Sequence, residues 1–134
     1  MIFIDTSAFL AIENRRDAYH KQALAYRNTI LQSGLGLITT DYVLDESYTI
    51  ICLRAGHAVA VQFGEDIRAS RIIQIEYMTS ELLEEAWRIF KSFADKEFSF
   101  TDCTSFALME YLHINTAFTF DGHFSQYGKF IVRP

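Results

Sequence analysis

Short β-prone runs alternate with helical stretches along the whole chain, and this alternation restricts the fold more than any other feature of the sequence. Ile2 to Ile4 reads as a buried strand. A helix from about Ser7 and a second from His20 to Ser33 follow, the latter ended by Ser33-Gly34-Leu35-Gly36. Leu37-Ile38-Thr39 is β-prone, Asp41 is the expected N-cap of a helix reaching Arg54, and Ala55-Gly56-His57 turns the chain. A helical stretch from Ala58 to Ser70 precedes a β-branched run, Arg71 to Tyr77. The next helix starts near Ser80, with Glu81, Glu84 and Glu85 near its positive end and a buried stripe expected at Leu83, Trp87, Phe90 and Ala94 or their neighbours. Thr101 is placed to cap a helix running to about His113. Thr116 to Phe120 and Phe130 to Val132 complete the strands, the last short enough for a sheet edge. Alternation of this kind predicts the α/β class: a three-layer α/β/α sandwich with a parallel sheet covered on both faces.

A chain of 134 residues, half of them apolar, is long enough for a core, and no Pro- or Ser/Gly-rich stretch divides it. One domain over residues 1–134 is expected. The apolar runs fall well short of the roughly 18 to 20 residues that a membrane span needs, and no signal peptide precedes the first strand, so a cytoplasmic protein with no membrane partner is expected. Cys52 and Cys103 lie in apolar helical patterns without metal-ligand spacing and read as small core residues. The net charge of −5 argues against binding nucleic acid by bulk electrostatics alone. It leaves open an enzyme whose acids are neutralised by a cation while Arg15, Arg16 and Lys21 line a groove.

Four acids fall where the predicted strands end or helices begin: Asp5, Glu46, Asp102 and Asp121. Each also has an ordinary structural explanation. Asp5 is a possible N-cap, although Thr6 and Ser7 beside it also suit that task. Glu46 lies on the border of the apolar face formed by Val43, Leu44, Ser47, Ile50 and Ile51, where a carboxylate needs a cation, a donor or a proton. Asp102 lies in a first helical turn, stabilised by the helix dipole, yet is in register with Phe106 and Met109. Asp121 precedes Gly122, an ordinary turn signal. Together they reach one edge of one predicted sheet, where residues just past the ends of parallel strands converge. Carboxylates held close raise one another's pKa, which a divalent cation relieves, and oxygen-only ligands suit Mg²⁺ or Mn²⁺.

Phe3-Ile4-Asp5-Thr6-Ser7, Thr40-Asp41-Tyr42-Val43-Leu44-Asp45-Glu46, Phe98-Ser99-Phe100-Thr101-Asp102-Cys103-Thr104-Ser105 and Thr119-Phe120-Asp121-Gly122-His123-Phe124 closely resemble, in order, the motifs of PIN-domain nucleases. Length and spacing are similar to the small single-domain members, including toxin nucleases of the VapC group. The resemblance implies a central parallel sheet of four or five strands and a pocket of Asp5, Glu46, Asp102 and Asp121 that binds Mg²⁺ or Mn²⁺. It also implies hydroxyl support from Thr6 or Ser7 and from Thr101. Some relatives carry a further acid or Asn shortly after the last Asp, where this chain has Gly122 and His123; His123 reads as a partly exposed turn residue.

The expected activity is metal-dependent hydrolysis of single-stranded RNA, leaving 5′-phosphate and 3′-hydroxyl ends, with Arg15, Arg16 and Lys21 as RNA-contact candidates. A toxin of this type implies a small antitoxin capping the pocket and a homodimer; Tyr26, Tyr48 and Phe63 are candidates for those surfaces, although a core position suits them better. Housekeeping RNA processing and a non-catalytic RNA- or protein-binding module are the alternatives. A haloacid-dehalogenase-type phosphatase is disfavoured because Ser7 stands where its second acid belongs.

Overall fold

A computed structural model describes residues 1–134. Five parallel strands form its sheet in the order β3-β2-β1-β4-β5: β1 (Ile2–Ile4), β2 (Leu37–Thr40), β3 (Ile73–Glu76), β4 (Thr116–Phe118) and β5 (Ile131–Arg133). Between them lie α1 (Thr6–Glu13), α2 (His20–Ser33), α3 (Asp41–Ala55), α4 (His57–Ala69), α5 (Ser80–Ser92), α6 (Phe100–Tyr111) and α7 (Gly122–Tyr127). The expected three-layer sandwich is present. The chain leaves β1 toward β2 and β3, then returns to place β4 on the other side of β1. The gap between β1 and β4 is therefore the switch point, where the loops from neighbouring strands part and leave a crevice.

Every residue of β1 and β2 is buried, as strands covered on both faces require. Phe3 faces α7 and α6 through Phe124 and Phe106, with ring centroids 6.2 and 5.0 Å apart along that path. One position beyond the partner of Phe3 in β4, Phe118 points to the opposite face and meets Tyr26 of α2 at 4.8 Å. Strand alternation thus assigns one aromatic cluster to each side of the sheet. Edge strand β5 is short, alternates in exposure and carries a terminal Arg133, as expected of an edge.

Several local expectations need correction. Helix α3 is capped by Thr40, whose hydroxyl accepts from Val43 N–H at 3.0 Å, while Asp41 is the first helical residue and accepts from Met78 N–H. Helix α6 is capped by Ser99 and starts before Thr101. The buried stripe of α5 is Leu82, Ala86 and Ile89, one position before the expected set; Trp87 and Phe90 are exposed and stack on each other. The Glu-rich pattern around them tolerates either face, and packing against α6 selects the smaller residues. Phe63 is buried, and Tyr26 and Tyr48 are half-buried against the core, so these aromatics are not a free surface. Past Asp121 the chain forms the short helix α7 in place of a simple turn.

Candidate active site

Asp5 ends β1 and caps α1: Ser7 N–H donates to its Oδ2 at 3.4 Å. Asp121, three residues beyond β4, caps α7 by accepting from His123 N–H at 2.9 Å. Helix α6 runs back toward the start of β4, so its N-terminus lies at the same edge and presents Asp102. That residue belongs to a reciprocal capping box, with Asp102 N–H donating to Ser99 Oγ at 3.0 Å and Ser99 N–H to Asp102 Oδ2 at 3.1 Å. Glu46 projects from the second turn of α3, next to Thr6. The structural explanations of Asp5, Asp102 and Asp121 therefore hold, and the same side chains also converge. Capping leaves part of each carboxylate available, because each has two oxygens and several lone pairs.

The convergence is visible in the protonation behaviour. Asp5 is 3% exposed, and burial, reinforced by the charges of Asp102 and Asp121, pushes its pKa up to about 7. Burial also raises Asp102, with Asp121 adding to the effect. Burial raises Glu46, with the charges of Asp102, Asp121 and Asp45 adding to it and the neighbouring Thr6 hydroxyl lowering it. Asp5 and Glu46 each feel the charges of Asp102 and Asp121, and Asp102 feels Asp121, which links the four acids electrostatically.

Hydroxyl groups brace Asp5. Ser7 Oγ donates to Asp5 Oδ2 at 3.1 Å and Thr119 Oγ1 to the same oxygen at 3.0 Å, while the two hydroxyls lie 3.0 Å apart. Ser7 Oγ also accepts from Phe120 N–H at 2.9 Å, and Thr119 Oγ1 from Asp121 N–H at 3.0 Å. Two strand ends are thus tied together through one carboxylate. Thr6 points the other way, toward α3, donating to Val43 O at 3.4 Å and accepting from Ser47 Oγ at 3.3 Å. The hydrogen bonds at Thr101 run to its carbonyl oxygen, from Thr104 and Ser105.

His123 is an integral part of the site and more than a turn residue. Its Nδ1 lies 2.8 Å from Asp102 Oδ2 and 3.4 Å from Asp121 Oδ1. Between two carboxylates, which only accept, that nitrogen carries the proton. Burial lowers the His123 pKa, but the Asp102 hydrogen bond and the charges of Asp121 and Asp102 outweigh it and leave the group above its ordinary value. The ligand atoms of Asp102, Asp121 and His123 lie within 4.8 Å of one another. Thr119 is not among the site residues expected from the sequence, and His123 is expected there only as a turn residue; their spacing, two residues before and after Asp121, is the available signal.

Arg15 and Arg16 are exposed and line a shallow hollow with Glu13 and His20 at the far end of α1; Lys21 is exposed at the start of α2. None of the three forms an ion pair or contacts the four acids.

The PIN domain family model matches residues 2–130. Two curated proteins named 23S rRNA-specific endonuclease VapC20, from two strains of Mycobacterium tuberculosis, are each 38% identical over 137 residues, spanning 100% of this chain and 99% of theirs. A crystal structure of Mycobacterium tuberculosis VapC20, described as a sarcin-ricin loop cleaving toxin, superposes with a TM-score of 0.88 at 37% identity over 100% of both chains.

Proposed function

The chain belongs to the PIN-domain family, and on that premise we propose that it is a divalent-metal-dependent endoribonuclease, the toxin of a toxin–antitoxin pair. One observation carries this reading: four carboxylates from α3, α6 and the ends of β1 and β4 meet in one partly buried site, with Asp5 pushed up to about 7. Such a concentration of acids is unfavourable for the metal-free fold and has the hard-oxygen donor chemistry that Mg²⁺ and Mn²⁺ prefer. Asp5, Glu46, Asp102 and Asp121 are the proposed ligands and catalytic residues. When bound, the cation lowers the pKa of water and neutralises charge on the phosphate undergoing attack.

The chain's own residues supply the positioning. Ser7 and Thr119 hold Asp5 Oδ2 between two hydroxyls, which fixes the orientation of the carboxylate. His123 orients Asp102 through its Nδ1–H, a support that fixes the carboxylate without requiring the imidazole to be a ligand. The unpaired charges of Arg15, Arg16 and Lys21 are the proposed contacts for the RNA backbone outside the acidic pocket.

Full-length similarity to VapC20 supports ribosomal RNA of the sarcin-ricin loop type as the substrate class. We further propose a small antitoxin protein as the inhibiting partner of such a toxin, a homodimer, a single catalytic domain over residues 1–134 and action in the cytoplasm. No helix is long and apolar enough to cross a membrane.

The test is cleavage of end-labelled 23S rRNA and of a sarcin-ricin hairpin by wild type and Asp5→Asn, in Mg²⁺, Mn²⁺ or EDTA. Metal-dependent cutting that disappears in the variant is expected. Equal cutting in EDTA, or by Asp5→Asn, would exclude the proposed chemistry.

A further inference from the structure

Beside the acidic pocket, Tyr19 stacks on Phe120 with ring centroids 4.6 Å apart and an interplanar angle of 10°. Phe120 occupies one face of the Tyr19 ring, yet Tyr19 remains 49% exposed. Its hydroxyl makes no hydrogen bond within the protein, so nothing at its polar end explains the orientation. We propose that this ring is a stacking surface for one unpaired base of the RNA, adjacent to the phosphate that is cut. The inference rests on the nuclease reading and assigns a binding residue to it.

Three features distinguish this aromatic pair from an incidental surface contact. The first is its attachment to the site. Phe120 immediately precedes Asp121, and its N–H donates to Ser7 Oγ at 2.9 Å, the same hydroxyl that donates to Asp5. A base resting on Tyr19 is therefore indexed to Asp5 through two intervening residues, Phe120 and Ser7, and two hydrogen bonds.

The second is its rigidity. Phe120 meets buried Phe118 edge-on at 6.2 Å, and Phe118 meets Tyr26 at 4.8 Å, so the surface ring ends a ladder that reaches the core. Tyr19 itself precedes α2, with its N–H donating to Asp17 Oδ1 at 2.8 Å and its carbonyl accepting from Ala23 N–H at 2.8 Å. His20 Nδ1 lies 2.7 Å from Ala11 O, which ties the start of α2 to α1. Little ordering remains to oppose binding.

The third is its electrostatic setting. Arg15, Arg16 and Lys21 lie within four residues of Tyr19 and carry no ion pair. Aromatic faces flanked by cations are the usual recognition surface for single-stranded nucleic acid, since each base offers a π-face and each linkage a charge. Unpaired loop nucleotides present such faces, whereas paired bases are already stacked. The exposed Trp87–Phe90 pair on α5 lacks any hydrogen-bonded connection to the acids.

Removing an aromatic platform of this kind weakens binding by about 5- to 150-fold per base. The experiment compares kcat/KM on a sarcin-ricin hairpin for wild type, Tyr19→Ala, Tyr19→Leu, Tyr19→Phe and Tyr19→Trp, with Tyr111→Ala as an exposed tyrosine outside the site. Thermal melting checks folding, and Tyr19→Leu keeps Phe120 covered. In parallel, Asp5→Asn and its Tyr19→Ala double variant bind hairpins carrying 2-aminopurine at each position around the mapped cut. Loss of about tenfold or more in Ala and Leu, retention in Phe and Trp, and quenching at one position that depends on Tyr19 are expected. Activity of Tyr19→Ala within about twofold of wild type, with unchanged quenching, overturns the stacking role and leaves the nuclease reading intact; a residue that serves a protein partner gives this result on naked RNA. If wild type cuts no RNA, the nuclease reading fails and the stacking role with it.

Discussion

The two halves of the sheet's carboxyl edge begin their helices with different chemistry. At the β2 and β3 end, Thr40 caps α3 and Thr79 caps α5, so neutral hydroxyls satisfy the first helical N–H groups. At the β1 and β4 end, Asp5 caps α1 and Asp121 caps α7, with Asp102 of α6 between them in its capping box. Hydroxyl and carboxylate caps meet the same local need, each typically worth about 1 kcal/mol. The carboxylates differ in what they do to one another. Burial and the neighbouring acids raise the pKa of the Asp5 cap, and the helix end that gains a hydrogen bond also gains a place for a cation. Asp41, on the neutral side, accepts an N–H from Met78 and straps β2 to the segment after β3.

The comparison breaks most visibly in activity. Asp5→Asn keeps a cap, since Asn accepts the same N–H, but removes a proposed ligand; RNA cleavage is expected to fall at least about a thousandfold, equivalent to ~4 kcal/mol of transition-state stabilisation. Thr40→Ala, measured in the same assay, is expected to keep most of its activity per folded molecule. Comparable losses in both variants would remove the distinction between the two halves.

Protonation offers the next largest effect. A carboxyl whose pKa is raised to about 7 in the folded protein takes up its proton there while the unfolded chain is still ionised. Its contribution to metal-free stability is thus fully present below about pH 4 and is lost as pH rises through 7, over a range worth up to ~4 kcal/mol. Urea melts in EDTA should show wild type losing stability between pH 5 and about pH 8, and Asp5→Asn should flatten that slope. A wild-type profile with no such loss contradicts the crowding of the acids.

Cation binding should reverse the trend. At a free Mg²⁺ or Mn²⁺ concentration about a hundred times its Kd, linkage predicts ~2.7 kcal/mol of stabilisation, observed as a raised melting temperature at pH 8 in wild type and a much smaller rise in Asp5→Asn. Equal shifts in both would place the cation elsewhere. The smallest effect belongs to the neutral half: Thr79→Ala should cost about 1 kcal/mol of stability by denaturant melting, with unchanged kcat/KM for RNA.

Much of this arrangement was legible in the chain. Strand and helix order, the parallel sheet and the four acids follow from periodicity and from where each acid sits relative to an apolar run, because one strand end or helix start is a local event. The face that α5 buries was shifted by one position. Its sequence offers Leu82, Ala86 and Ile89 beside Leu83, Trp87 and Phe90, and only contact with α6 distinguishes the two sets. Thr40 and Ser99 replaced the anticipated caps for a similar reason: several adjacent residues have the right oxygen, and backbone direction chooses among them. His123 was undervalued because nothing near it in the chain announces Asp102, twenty-one residues earlier, as its partner.

By itself the sequence determined the fold class, the order of its elements and the acids that could meet, since each depends on patterns read over a few residues and on the chirality of parallel crossovers. The tertiary structure alone decided that Asp5, Glu46, Asp102 and Asp121 share one field, that Thr119 and Ser7 brace Asp5 from different strand ends, and that Tyr19 stacks on Phe120. Those facts depend on distances between residues far apart in the chain, 114 positions for Asp5 and Thr119. Only the packed sheet and its helices set such distances, and with them the burial that raises the carboxyl pKa values.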